Sequence, residues 1–275
     1  IEKFVRDVTA GKTSRDEKVA PRKRVIVRGG EGAARKVVRD VSAMFSFAVR
    51  RGIVGSNPVL LAAVRKTDKK REGYLEYNHV RRLGAALDAA LLDGVNPKAI
   101  DQIKLLVLTG CRRNEILALR WDEVDFKNGR LVLAKTKTGK SIRPLGSAAL
   151  QILAGIARGE SPYVFPAEHG EGFYSGMRRH WKELRKSGAI PSATVLHTLR
   201  HSLGSAAASS GESLLITGAL LGHQNARSTQ IYAHVAQDPA KRAAERISGA
   251  MASALSGKPQ AEIIPYPTTH SNANR

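Results

Sequence analysis

Apolar residues recur at steps of three and four along most of this 275-residue chain, and between 130 and 145 the period drops towards two. That contrast constrains the fold to mainly α with a small antiparallel β-sheet. Val80, Leu83, Leu87 and Leu91 mark one helix, Ile100, Ile103, Val107 and Leu108 mark another, and 113–120 continues the helical pattern. Segments 130–134 and 141–145 predict two strands, joined by the polar turn Lys135-Thr136-Lys137-Thr138-Gly139-Lys140. Helical patterns return at 147–157, 173–186, 197–210, 212–221 and 226–234, and 238–255 makes one more helix, rich in alanine.

The N-terminal quarter has a different texture. Residues 1–30 are basic and poorly periodic, broken by Gly11, Pro21 and Gly29-Gly30. From 31 to 51, Val37, Val41, Met44, Phe45 and Ala48 form a helical stripe predicted to be core, with Arg35, Lys36 and Arg39 facing away from it as a solvated face or a DNA face. The turn Ser56-Asn57-Pro58 follows the end of that helix. The charged stretch 65–73 has no apolar anchor and predicts a linker. The expected organisation is a basic, truncated helical DNA-binding module over 1–66, a linker over 67–74, a catalytic domain over 75–255 and a disordered tail over 256–275.

Charge points to the partner. The chain carries 45 Lys+Arg against 24 Asp+Glu, a formal net charge of +21, and residues 1–74 alone hold 19 basic and 8 acidic residues. Such a field favours a polyanion, and nucleic acid is the commonest one. Cys111 is the only cysteine, so no intramolecular disulfide is possible, which fits a reducing, cytoplasmic setting. No apolar run approaches a membrane span, so no membrane is expected as a partner. The chain begins at Ile1 rather than Met, and we read it as a fragment or processed form.

Chemistry-bearing residues gather in the C-terminal two thirds. His197 and Arg200 share a helix face, and His201 lies four residues from His197. There is no HExxH, no cysteine pair and no third ligand at a metal spacing, so neither metal nor cofactor is expected. Arg112 follows the helix-breaking pair Thr109-Gly110, at a helix start where the macrodipole disfavours a cation; the plain explanation is a salt bridge with Glu115. Lys137 at a hairpin tip is ordinarily just solvated. Tyr232, nine residues after the Gly222-His223 turn, is ordinarily a packing residue. Two arginines, histidines and a tyrosine hydroxyl are also the groups needed to attack a phosphodiester without a metal.

Order and spacing defeat the plain explanations jointly. Thr-Gly-x-Arg-x-x-Glu-Ile-Leu-x-Leu-x-Trp (109–121), Lys-Thr-Gly-Lys (137–140), His-x-Leu-Arg-His (197–201), Leu-Gly-His (221–223) and Thr-Gln-Ile-Tyr-Ala-His (229–234) resemble the tyrosine recombinase, or phage integrase, family. The match runs from about residue 75 to 236, and the texture of 31–58 is similar to the end of that family's helical core-binding domain.

The resemblance implies a role for each residue. Arg112 and Arg200 would clamp the scissile phosphate, and Tyr232 would attack it to form a 3′-phosphotyrosyl bond. Lys137 would protonate the leaving 5′-hydroxyl, although Lys135 and Lys140 share its turn. His197 and His223 would hydrogen-bond the phosphate or assist proton transfer, with Glu115 and His201 in support. It also implies a two-domain clamp on double-stranded DNA at attachment or core sites, a homo-tetramer on DNA and accessory DNA-bending proteins. The expected function is site-specific recombination that integrates or excises a mobile element. A chromosome-dimer-resolving recombinase, a non-catalytic DNA-binding protein on the same fold and a metal-dependent nuclease are the alternatives.

Overall fold

In the computed structural model, the described residues are 1–21, 23–62, 73–136 and 139–255. Most of the expected linker, the tail from 256 onwards and Lys137 lie outside them. The chain divides into two compact units, Ile1–Glu72 and Gly73–Arg275.

The first unit contains helix α1 (Glu2–Thr9), strands β1 (Arg15–Ala20) and β2 (Lys23–Val27), the long helix α2 (Glu31–Arg50) and the single turn α3 (Pro58–Leu61). The module expected to be helical over 1–66 therefore also holds a β-hairpin, within the poorly periodic first 30 residues. The β1–β2 hairpin is exposed along all of β1, so neither face of that strand carries an apolar alternation to read. It is stitched instead by a bidentate Arg24–Asp16 ion pair at 2.6 and 2.9 Å. Helix α1 packs on α2, where the buried residues are Val8, Ala34 and Val38. The expected stripe sits one position round: Val37, Val41, Phe45 and Ala48 are half-buried and Met44 is exposed. Asn57 ties α3 to α2. Its amide accepts from the Val59 N–H at 3.0 Å and donates to the Ser42 carbonyl and the Ser46 hydroxyl, each at 2.9 Å.

The second unit is built around helix α5 (Pro97–Thr109), which packs against α4 (Tyr77–Leu92), α6 (Arg113–Leu117), α7 (Ser147–Gly155), α8 (Met177–Lys186) and α9 (Leu196–Ser210). Asn96 caps α5 by accepting from the Lys98 N–H at 2.9 Å, and Pro97 opens its first turn. Ile100, Ile103, Leu105 and Leu106 are buried on different sides of it, as a helix surrounded by others requires. A three-stranded antiparallel sheet, ordered β3 (Val124–Asp125), β4 (Arg130–Thr136), β5 (Gly139–Pro144), lies beside this core. Helix α10 (Leu214–Leu221) follows α9, and α11 (Gln237–Leu255) packs back on α9 of the same chain, Pro239 lying beside Gly211.

Residues 226–234, expected as α-helix, form 3-10 turns over Ala226–Ser228 and Gln230–Ala236. Asn225 starts the first by accepting from the Arg227 N–H at 2.9 Å, and the segment is too short for α-helix to outcompete that local bond. Helix α8 begins at Met177 rather than 173, because 173 is held in an isolated bridge between Phe173 and Pro166. Among the described residues, no helix is long and apolar enough to cross a membrane.

Candidate active site

Helix α5 ends at Thr109 because Gly110 takes up the left-handed conformation (φ 58°) that closes it. A Cβ there would lie 2.8 Å from side-chain atoms of both Leu203 and Leu221, so glycine is required on packing grounds as well. The Gly110 carbonyl, freed at this helix end, accepts a 2.7 Å hydrogen bond from Nη1 of Arg200 on α9. The strand-like turn that follows delivers Arg112 to the start of α6.

Arg112 makes the salt bridge with Glu115 that its spacing allowed. Its backbone N–H and its Nη1 each donate to the Glu115 carboxylate at 2.8 Å. Burial pushes the Glu115 carboxyl up. The hydrogen bonds from Arg112 and the charges of Arg143 and Arg112 outweigh that, and its pKa lies below the ordinary glutamate value.

Arg200 is 3% exposed. Burial, then the charges of Arg112 and Arg143, lower its pKa to about 10, still far above neutrality. Its Nη2 is buried with no hydrogen-bond partner among the described residues. An unpartnered guanidinium nitrogen is expensive, and an anion is what would satisfy it.

Tyr232 is 3% exposed, and its ring fits only because residue 204 is glycine: a Cβ there would lie 2.4 Å from the ring. Its hydroxyl is 3.1 Å from Nδ1 of His201. Burial raises its pKa and Arg200 lowers it, with the net shift upward, so the phenol is protonated at neutral pH. His201 also meets His197 edge-on, with ring centroids 4.7 Å apart. His197 is exposed in a cleft, and its pKa is lowered by desolvation, then by Arg200 and Arg112.

Gly222 ends α10 with φ 59° and turns the chain to His223, whose Nδ1 lies 2.8 Å from the Thr229 hydroxyl. Burial and the charges of Arg200, Arg112, Arg143 and His201 lower the His223 pKa to about 4. It is therefore a neutral imidazole at physiological pH.

A cleft of about 790 Å³ opens beside these residues, lined by Arg112, His197, Thr136 and three further arginines, Arg113, Arg178 and Arg185. Lys137 itself is outside the described residues, but Thr136 beside it lines this cleft. Among the described residues, no three His, Cys, Asp or Glu side chains converge as metal ligands. Arg35, Lys36 and Arg39, the candidate DNA-binding residues of α2, belong to the first unit. Arg35 pairs with Glu31 at 2.9 Å and Lys36 with Asp40 at 2.6 Å, and the Arg35 side chain is only 16% exposed.

One member of the cluster lies outside the motifs. Arg143 on β5 is completely buried and donates to both Glu115 carboxylate oxygens, at 3.2 and 3.3 Å. The signal for it is in the strand alternation. With Leu131 and Leu133 facing the core, pairing places Arg143 opposite Leu131 and Ser141 opposite Leu133, and turns Ile142 outward. A charge on the core face and an isoleucine on the water face reverse the usual pattern, and such reversals mark functional positions.

Residues 74–238 match the sequence profile of the Phage integrase family. The chain is 28% identical over 224 residues to tyrosine recombinase XerC of Bacillus pumilus, covering 76% of this chain and 73% of that protein. It is 25% identical over 223 residues to tyrosine recombinase XerD of Staphylococcus aureus, covering 76% and 75%. In fold it is similar to the Tn1549 transposon integrase solved in complex with transposon right end DNA, with TM-score 0.60, 24% identity and 79% of each chain covered. It is likewise similar to a lambda integrase dimer bound to a COC′ core site, with TM-score 0.58, 20% identity and 74% of each chain covered. With the family match spanning more than half its length and the cluster of Arg112, Arg200, His223 and Tyr232 inside it, the chain belongs to the phage integrase family of tyrosine recombinases.

Proposed function

We propose that this chain catalyses site-specific DNA recombination for a mobile element, integrating or excising it through a 3′-phosphotyrosine intermediate. The observation that carries the reading is the unpartnered, buried Nη2 of Arg200 within a cluster that also holds Arg112, His223 and Tyr232. Arg112 and Arg200 bind the non-bridging oxygens of the scissile phosphate and stabilise the charge that builds on them. Neutral His223 and His197 hydrogen-bond the same group. The Tyr232 hydroxyl passes its proton to the adjacent His201 as its oxygen attacks phosphorus; the bond to the 5′-oxygen breaks, and Lys137 gives that leaving oxygen a proton. A 5′-hydroxyl from another strand then attacks the phosphotyrosine, restores the phosphodiester and releases the tyrosine. The phosphoester energy is conserved, so the reaction needs no nucleotide cofactor and no metal. On α2 the exposed Lys36 and Arg39 grip backbone phosphates on the flanking duplex, with the salt dependence that such contacts bring, whereas Arg35, 16% exposed and paired with Glu31, does so only by leaving that pair.

The chain acts in the cytoplasm on duplex DNA at attachment sites, as a homo-tetramer on DNA with accessory DNA-bending proteins. Likeness to two Xer recombinases favours one other reading, a recombinase that resolves chromosome dimers by the same residues. The two differ in where the recombining sites lie: flanking the gene itself, or elsewhere on the chromosome.

The test is a suicide duplex carrying the site, incubated with the protein in EDTA. A denaturation-resistant protein–DNA adduct is expected, and it disappears in Tyr232→Phe. No adduct on a site that is demonstrably bound would leave a DNA-binding protein without strand-transfer chemistry. Strand cleavage that leaves no adduct and is abolished by EDTA would point to the metal-dependent nuclease.

A further inference from the structure

We infer that Arg143 is a positioning residue, the permanent counter-ion of Glu115, and that it frees Arg112 to exchange that carboxylate for a DNA phosphate. The inference rests on the reading above, in which Arg112 binds the scissile phosphate.

Glu115 is a nearly buried carboxylate, with 8% of its side chain exposed, and it serves two guanidinium groups. The two are not equivalent. Arg112 has 29% of its side chain exposed and lines the cleft, whereas Arg143 has none exposed and cannot reach a ligand outside. Arg143 is held in place from several sides. Its Nη1 donates to the Ser141 hydroxyl at 2.5 Å, its Nη2 spans the Glu115 oxygens, and its guanidinium fills the space beside Gly222 so fully that a Cβ there would fall 1.1 Å from Nη1. A cation in such a pocket is costly to bury without a carboxylate, and the carboxylate is costly to strand without a cation.

Binding a phosphate asks Arg112 to turn part of its fork away from Glu115. Were Arg112 the only partner, that turn would leave a buried carboxylate uncompensated, and the pair would resist opening. With Arg143 present, Glu115 keeps a cation whatever Arg112 does. The cluster then carries three guanidinium charges against one carboxylate. The surplus of positive charge faces a phosphate whose own negative charge grows in the transition state. Arg143 supplies its share from behind, without touching DNA. The same guanidinium packs against the Gly222 turn and so also supports the approach of His223.

A charge cycle tests this. Arg143→Met keeps length without charge, and Glu115→Gln removes the carboxylate charge; adduct formation on the suicide duplex is measured at saturating protein for each and for the double variant, with DNA affinity measured separately. Arg143→Met is expected to slow adduct formation roughly 100-fold, with DNA affinity unchanged. The double variant is expected to be faster than Arg143→Met, because a neutral amide at position 115 no longer holds Arg112. A residue that merely fills space would not be rescued in this way, so a double variant as slow as Arg143→Met, or slower, overturns the inference, as does full activity of Arg143→Met itself. If Arg143→Met does not fold, Arg143→Lys decides. It keeps the charge, so near wild-type adduct formation supports the counter-ion role and a loss of about 100-fold overturns it. Failure of the wild-type chain to form any adduct would instead overturn the strand-transfer reading, and this inference with it.

Discussion

The hydroxyl of Tyr232 lies 3.1 Å from Nδ1 of His201, four residues along the helix from His197 and next to Arg200. Burial keeps the phenol pKa raised despite Arg200, so the oxygen holds its proton at neutral pH and must lose it on attack. With its proton on Nε2, the His201 imidazole accepts a hydrogen bond from that hydroxyl at Nδ1 and can take its proton. His201→Ala should slow adduct formation about 100-fold, the low end of what a positioned base contributes. The rate of the variant should climb steadily as pH is raised towards the phenol pKa, because phenolate then forms without help. A pH series of single-turnover adduct formation checks this; a flat profile in His201→Ala would remove the base role.

Gly204 tests the packing that holds the nucleophile. Glycine inside a helix is ordinarily worse than alanine by about 0.5–1 kcal/mol. Here a Cβ would lie 2.4 Å from the Tyr232 ring, a contact that only movement of the ring or the helix relieves. Gly204→Ala should therefore destabilise the chain by about 1–3 kcal/mol, the usual range for overpacking. Adduct formation should fall with it. Urea unfolding gives the sign; a stabilised variant would mean that the tyrosine segment moves aside freely.

Much of this site is legible before any geometry. Helix stops at Gly110 and Gly222, the HxLRH face and the order of the motifs lead to Arg112, Arg200, His223 and Tyr232. The helix stops are signals of local backbone, which a sequence carries directly, while the roles of these residues come from the resemblance of the ordered motifs to the tyrosine recombinase family. Arg143 escapes because its meaning lies in strand pairing. Only when it is seen opposite Leu131 does an ordinary-looking Ser-Ile-Arg become a charge turned inward. The hairpin of 15–27 escapes for the opposite reason, since an exposed ribbon has no buried face to impose a pattern. The 3-10 geometry around Tyr232 reads as α-helix because both place residues three to four apart on one side.

His223 predicts an acid sensitivity. Its folded pKa of about 4 lies below the ordinary value of 6.5, so the unfolded chain takes up a proton that the folded chain refuses. Stability attributable to this group is intact above pH 6.5 and is lost as pH falls from there to about 4. His223→Gln should flatten that part of the stability-versus-pH curve. Duplex DNA should act differently: a phosphate beside the three arginines offsets the charge that depresses the imidazole, so the His223 pKa should rise when DNA binds. An NMR titration with and without the duplex reads it, and an unchanged pKa would place the phosphate elsewhere.

Arg200 separates binding from chemistry. One of its terminal nitrogens holds the Gly110 carbonyl at 2.7 Å and the other has no partner among the described residues. A lysine would offer one point charge where two directed donors are needed, so Arg200→Lys is not a conservative change. Duplex affinity comes from many phosphate contacts, and losing one should barely move it. Cleavage depends on charge placed at the reacting phosphorus, where removal of one donor costs about 100- to 1,000-fold. Arg200→Lys and Arg112→Ala should therefore bind the suicide duplex like wild type and form almost no adduct. If either cleaved at near wild-type rate, the clamp on the scissile phosphate would have to be built from other residues of the same cleft, Arg113, Arg178 and Arg185 being the guanidinium groups within it.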